Sequence, residues 1–245
     1  MSDFDFDDVF GDDYLHFYET VLTDELSDRQ VATIAGFVPL GPGVRVLDCP
    51  CGFGRISNRL AGLGAEVVGI DAGARFLEVA RRAGAAVDYR LGDMRELDFD
   101  AEFDLVVNIF TSFGYYDEDT DRAVLAGFRR ALKPGGKLVL EQLNSQRILG
   151  YIAAGNGISL AMIQRDDDLL IDRNGYDAVA GRLVTERISV RDGKVRRYHF
   201  SVRAFSPVEI SSWLRDAGFS AVEVFDQDGQ PFTLGARRMW VVATV

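Results

Sequence analysis

Residues 46–55 read Val-Leu-Asp-Cys-Pro-Cys-Gly-Phe-Gly-Arg, "VLDCPCGFGR". An apolar run meets Asp48, turns through a bend holding Cys49, Pro50, Cys51, Gly52 and Gly54, and enters a segment whose Ile56, Leu60 and Leu63 have helical spacing. A strand, a glycine-bearing bend and a helix suit several ligands. A zinc site takes about four ligands, and the chain has two cysteines in C-x-C spacing and two distant histidines, His16 and His199. We expect no metal. A redox pair takes C-x-x-C, and a disulfide across one intervening residue is strained. The dinucleotide fingerprint G-x-G-x-x-G meets Ser57 at its third glycine when counted from Gly52, and Pro50 at its first when counted two residues earlier. The cysteines read as small packing residues, and the bend as a cradle for some other ligand.

Working outward, strand and helix patterns alternate from 44 to about 141. Val44–Leu47 is a short apolar strand, and Gly64 stops the helix after it. Val67–Ile70 is a second strand, ending in Asp71. Phe76, Val79 and Ala80 mark a helix, Val87–Leu91 a third strand ending in "GDM", and Leu105–Ile109 a fourth. Val124, Leu125, Phe128 and Leu132 line a helix that stops at Lys133-Pro134-Gly135-Gly136, and Lys137–Glu141 is a fifth strand. Such alternation predicts a parallel sheet covered on both faces. Upstream, Gly41-Pro42-Gly43 breaks the chain after a helix that Ser27 is placed to cap. Downstream, the helical period fades from 145 to 205. Leu183–Val190 and Val195–Phe205 read as a hairpin across Asp192-Gly193. Ser206-Pro207-Val208-Glu209 then starts a helix, and 221–225 and 239–245 are closing strands.

In an open parallel sheet, ligands bind beyond the carboxyl ends of the strands, where strand order reverses. Asp48, Asp71, Asp93 and Asn108 fall at four such ends. A carboxylate after strand two suits a ribose diol, since it accepts both hydroxyl protons. One after strand three suits an adenine amino group, with Met94 packing on the ring. An acid at the first bend suits a cationic ligand end.

These motifs in order, "VLDCPCGFGR", "VVGIDAG", "YRLGDMREL", "FDLVVNIFTSFGYY" and "LKPGGKLVLE", resemble those of the class I S-adenosylmethionine-dependent methyltransferases, over about 44 to 141. The resemblance implies an α/β fold: a Rossmann-like, seven-stranded, mostly parallel sheet with helices on both faces and its last strand antiparallel, plus an inserted antiparallel β region. It implies S-adenosylmethionine as cofactor and S-adenosylhomocysteine as product. It places Asp48, Gly52 and Gly54 at the methionine half, Asp71 at the ribose, Ala72 by the adenine, Asp93 and Met94 at the adenine amine and ring, and Asn108 near the sulfonium. Pro50 departs from the family's glycine. It has no N–H, so a contact through that backbone group is absent.

The expected organisation is a helical segment 1–43 that contributes to the active-site cover, a cofactor-binding domain of 44–144 plus 206–245, and a β insert at 145–205 that covers substrate or pairs subunits. The net charge of −11 repels phosphate backbones, so nucleic acid is disfavoured as a substrate. Arg191–Arg203 is the densest basic stretch, and on a hairpin it reads as a solvated face. The Asp-rich first ~13 residues lack a signal-peptide pattern and read as frayed. No apolar run approaches the ~18 residues that span a bilayer. We expect a cytoplasmic protein, and edge strands in the insert suggest a homodimer. The expected reaction is methyl transfer to a small-molecule acceptor, a metabolite or natural-product intermediate. Two other readings stay open: a non-catalytic protein that keeps the cofactor site, and an NAD-dependent oxidoreductase. Tyr14, His16, Tyr18 and His199 are the candidate catalytic residues, and Thr111, Ser112, Tyr115 and Arg203 the candidate acceptor contacts.

Overall fold

The computed structural model describes residues 9–245. Part of the acidic N-terminal stretch, residues 1–8, therefore lies outside the described residues. One sheet is built from β1 (Arg45–Asp48), β2 (Glu66–Asp71), β3 (Val87–Leu91), β4 (Phe103–Asn108), β5 (Leu132–Leu143), β10 (Ala221–Phe225) and β11 (Arg238–Thr244). A second is built from β6 (Ser159–Arg165), β7 (Asp168–Asp177), β8 (Arg182–Arg191) and β9 (Lys194–Arg203). The first has the order β10-β11-β5-β4-β1-β2-β3 and the second β6-β7-β8-β9. Strands β1 to β5 pair in parallel. β11, the last strand, runs antiparallel between β5 and β10. The chain leaves β1 toward β2 on one side and returns to β4 on the other, so the strand order reverses at the ends of β1 and β4.

The period-two pattern divides the apolar residues between the faces of this sheet. Leu47, Val106, Leu138 and Leu140 pack under α5 (Glu118–Ala131) and α7 (Pro207–Asp216), through Leu125, Phe128 and Trp213. Val46, Leu105, Val107 and Val139 face α2 (Asp24–Phe37) and α3 (Ser57–Gly62), through Val31, Ile34 and Leu60. Each such side chain contributes roughly 1.5–3 kcal/mol when fully buried. Thr23, not Ser27, caps α2 by accepting from Leu26 N–H. Ser27 is buried on the helix and donates to the Thr23 carbonyl. Ser206 accepts from Glu209 N–H at the start of α7, where Pro207 stands first.

The insert holds more regular structure than its hairpin signal gave: α6 (Ser145–Ala154) and β6 and β7 precede β8 and β9. Arg182 joins the second sheet to the loop after β4. Its guanidinium donates to the carbonyls of Gly114, Tyr115 and Tyr116 at 3.0, 3.1 and 2.9 Å. The short helix α1 (Asp12–Tyr18) is tied to the same sheet. Asp13 pairs with Ser189, Arg191 and Arg196, and Arg187 donates to the Tyr18 hydroxyl at 3.0 Å.

Asp121, in the first turn of α5, is fully buried, and its carboxylate makes no hydrogen bond of ordinary geometry among the described residues. Burial raises its pKa to about 7, against the partial offset of the Arg182 charge. A carboxyl that binds its proton more tightly in the folded chain stabilises the fold below the ordinary carboxylate range and loses that contribution as pH rises to about 7. The loss is on the order of 4 kcal/mol at most. Asp121→Asn should therefore be more stable relative to the wild type at pH 8 than at pH 5.5, by denaturant titration. An equal difference at both pH values would contradict this.

Candidate active site

The ends of β1, β2, β3 and β4 open onto one cavity. Asp48, Pro50, Gly52, Asp71, Ala72, Asp93 and Met94 line it on the β1–β3 side, and Thr111, Ser112 and Tyr115 on the β4 side. Phe10 and Tyr14 close it from the N-terminal segment. The Tyr14 ring stacks on Tyr18 at 4.2 Å and meets Phe76 edge-on at 5.8 Å, and Phe10 meets Tyr115 at 5.6 Å.

The bend after β1 is held by the tip of β2. Asp71 accepts from Gly52 N–H at 2.7 Å and from Gly73 N–H at 2.8 Å. Its pKa is raised by burial, with those two bonds opposing. Asp48 is buried and accepts from the Ser57 hydroxyl at 2.5 Å. Burial raises its pKa to about 7. At Asp93, burial is outweighed by hydrogen bonds from the Arg95 side chain and N–H, and the net pKa is lowered. Asp93 also caps the 3-10 turn Met94–Glu96. Cys49 and Cys51 are free thiols whose pKa values burial drives up, so they stay protonated packing groups.

Several expected site residues sit elsewhere. Gly54 is off the cavity: a Cβ there would stand 2.2 Å from the Tyr89 hydroxyl oxygen and 2.8 Å from the Ala80 Cβ, so packing against β3 and α4 (Ala74–Arg82) requires that glycine. Asn108 is fully buried, and its amide donates to the Cys49 carbonyl at 2.9 Å, tying β4 to the bend instead of facing the cavity. His16 lies 2.9 Å from Asp168 of the second sheet. Tyr18 is outside the lining and is engaged by Arg187. His199 is exposed opposite Glu186, on the face turned away from Phe200 and Tyr115. Arg203 pairs with Glu209 and Glu118 and lies over Trp213, which spends its charge outside the cavity. Of the basic stretch, Arg191 and Arg196 pair with Asp13, and Arg197 with Glu186. Burial pushes the Tyr14 and Tyr115 hydroxyls far up, which removes both as bases near neutral pH.

Two features escaped the sequence reading. Arg55 is the one cation among the described lining residues. Its neighbours are Gln30 and Ser27 of α2. Glu141, at 2% exposure, accepts from Gln30 Nε2 (2.8 Å), Phe110 N–H (2.8 Å) and Arg238 Nε (2.9 Å). Arg55 follows Gly54 in the opening motif and was readable as a cation at the bend. The Glu141 cluster joins four separate segments and has no local signal.

Residues 46–136 match the family described as methyltransferase domain. The chain is 33% identical over 202 residues to the demethylmenaquinone methyltransferase of Clavibacter sepedonicus, covering 79% of this chain and 72% of that protein. The chain belongs to the class I S-adenosylmethionine-dependent methyltransferases. The cypemycin N-terminal methyltransferase of a Streptomyces species is 29% identical over 216 residues, covering 86% of this chain and 87% of that protein. An S-adenosylmethionine-dependent methyltransferase from Clostridium acetobutylicum shares the fold, with a TM-score of 0.78 at 17% identity over 95% of this chain and 97% of that one. The cofactor of this methyltransferase is S-adenosylmethionine, and the cavity chemistry suits it. A buried acid and a single cation stand at the β1 bend, acids follow β2 and β3, and Met94 offers an apolar surface.

The two glycines of the methyltransferase bend should separate on mutation. Both have positive φ, +54° at Gly52 and +80° at Gly54, which costs alanine roughly 1–2 kcal/mol. A Cβ on Gly52 meets nothing within 4 Å and projects into open space. Gly52→Ala should lose cofactor affinity with a fall in Tm of a few degrees from its backbone alone, and Gly54→Ala, which adds the clash, should lose clearly more. Calorimetry beside thermal melts checks this, and the reverse ranking would refute it.

Proposed function

We propose that the enzyme transfers a methyl group to a small-molecule acceptor. The observation that carries this is the closure of the cavity by Phe10, Tyr14 and Tyr115, which encloses the site in aromatic side chains. Segments 1–43 and 145–205 serve as the cover, and 44–144 with 206–245 as the cofactor domain. Asp48 holds the ammonium and Arg55 the carboxylate of the methionine half, beside Pro50 and Gly52. Asp71 takes the ribose hydroxyls, and Ala72, Asp93 and Met94 border the adenine. When bound, the cofactor supplies a methyl carbon on a cationic sulfur, which passes to an acceptor lone pair while the C–S electron pair stays on sulfur. The protein's part is to align the acceptor and exclude water. Thr111, Ser112 and Tyr115 border the acceptor side. The relative named for cypemycin gives a second reading, a peptide amino terminus as acceptor, because it matches across 86% of the chain. The edge strands β6 and β9 leave room for a homodimer, which light scattering tests.

Asp48 gives the cofactor step a pH signature. An acid with a pKa of about 7 in the free enzyme must ionise to hold an ammonium. Affinity for S-adenosylmethionine should therefore fall as pH drops below 7, by up to about tenfold per unit, and this slope should vanish in Asp48→Asn. The function itself is tested by incubating the enzyme with methyl-labelled cofactor and panels of phenols, quinols, amines and short peptides. Label transfer to a small molecule is the expected result. Cofactor binding without transfer to any member would support the non-catalytic reading instead.

A further inference from the structure

A second cleft lies between α2 and the 226–237 loop that joins β10 to β11. It encloses about 810 Å³, within the roughly 300–1,000 Å³ of small-molecule sites. Three observations tie it to the reaction.

The first is its wall. Phe110 borders both the cofactor cavity and this cleft. The guanidinium carbons of Arg55 and Arg238 lie 5.6 and 5.2 Å from its ring centroid. Arg55 belongs to the cavity and Arg238 to the cleft, so the partition is a single side chain thick.

The second is the backbone of that partition. Phe110 and Thr111 both have positive φ, +67° and +58°, in residue types that disfavour it. Glu141 holds them: its carboxylate accepts from Phe110 N–H and its carbonyl from Thr111 N–H, each at 2.8 Å. Arg238 donates to the Thr111 hydroxyl at 2.8 Å. Left-handed conformation at two bulky residues persists only where surrounding structure enforces it, and such positions cluster at binding and catalytic sites.

The third is charge. Arg238 spends Nε on Glu141 and Nη2 on Thr111, and its Nη1 makes no hydrogen bond among the described residues. Arg29 and Arg237 are exposed on the cleft, with no ion pair among the described residues. Glu141 balances Arg238, so among the described lining residues Asp228 is the one acid left to oppose Arg29 and Arg237. That local sign stands out in a chain of net charge −11.

We propose that this cleft takes the far end of the acceptor and selects one bearing a carboxylate or similar anionic group, held by the charges of Arg29 and Arg237 at the rim, with Nη1 of Arg238, whose charge Glu141 already balances, as a hydrogen-bond donor at depth. This rests on the small-molecule reading above. The reacting atom stays in the cofactor cavity beside Thr111 and Ser112, and the anionic end lies past Phe110 in this cleft.

The test uses the full-length enzyme loaded with S-adenosylhomocysteine and matched probes: 4-hydroxybenzoate and its methyl ester, 3-phenylpropionate and its amide, and alanyl-alanine and its amide. Saturation-transfer NMR should give each carboxylate about tenfold tighter binding than its neutral partner. That preference should disappear in the double variant Arg29→Gln, Arg237→Gln, which should bind S-adenosylhomocysteine as the wild type does. Equal binding of the paired probes, or a preference that survives the double variant, would overturn the proposal. With an acceptor from the labelled-methyl screen, the double variant should raise KM about tenfold and leave kcat near the wild-type value. An unchanged KM would remove the acceptor from this cleft even if anions bind there. Failure of every acceptor in the screen would instead defeat the small-molecule reading, and the NMR result would still decide whether the cleft binds anions.

Discussion

Asp71→Ala is expected to weaken S-adenosylmethionine binding by about 100- to 1,000-fold, the largest effect of any substitution at the cavity. The side chain does two things at once. It fastens the bend after β1 to the tip of β2 through Gly52 N–H (2.7 Å) and Gly73 N–H (2.8 Å). It also lines the cavity, and in the proposed function its remaining lone pairs accept the ribose hydroxyls. Hydrogen bonds to a charged group contribute about 1.5–3 kcal/mol each, so losing the ribose bonds and the preset bend together accounts for roughly 3–4 kcal/mol, which is that range in Kd. Asp71→Asn keeps the shape and one acceptor oxygen, and its amide group now faces an N–H donor. It should fall between the wild type and alanine. Calorimetric titration with S-adenosylmethionine and S-adenosylhomocysteine measures this, with a thermal melt showing that the variants are folded. Binding of Asp71→Ala within threefold of the wild type would remove Asp71 from the cofactor site.

The residues that made the fold legible are those whose signal is local. Val46 and Leu47 alternate between the two faces of the sheet, as do Leu105, Val106 and Val107, and each alternation survives in the packing. The acids at the ends of β1, β2 and β3 were readable because strand ends can be located from apolar runs, and all three line the cavity. What failed depended on partners far along the chain. His199 lies on the strand face opposite Phe200, and alternation alone does not say which face of the hairpin turns inward. Phe200, packed on Tyr115, answers that. Arg203 looked available because Glu209 and Trp213 were not known to surround it. Gly54 looked like a ligand contact because a tight bend and a close helix make the same demand on a residue, and only Tyr89 and Ala80 tell them apart. β6 and β7 were missed because "SLAMIQR" and "DLLIDRNGYD" carry apolar runs without clean alternation.

Glu141 gives the second large effect, and a double variant separates its two contributions. Its carboxylate accepts from Gln30, Phe110 N–H and Arg238. Glu141→Leu keeps most of the volume but removes every side-chain acceptor, so Gln30, Phe110 N–H and Arg238 lose their partner and Arg238 its counter-charge. Stranding one member of a buried pair costs about 3–5 kcal/mol. The Arg238 side chain is 18% exposed, which puts the loss toward the lower figure, as a fall in denaturant midpoint. Methyl transfer should fall further than stability explains, because the left-handed turn at Phe110 and Thr111 loses its support and relaxes. Adding Arg238→Met removes the stranded charge. If Glu141 acts only as a structural ion pair, the double variant should recover both stability and transfer, since apolar replacement of a buried pair is often neutral. If it positions the turn between the two chambers, stability should recover by half or more while transfer stays low, since Phe110 N–H and the Thr111 hydroxyl still lack their partners. Parallel denaturation and single-turnover transfer on the four proteins distinguish the two outcomes, and full recovery of transfer would mean that the strained turn does not depend on Glu141.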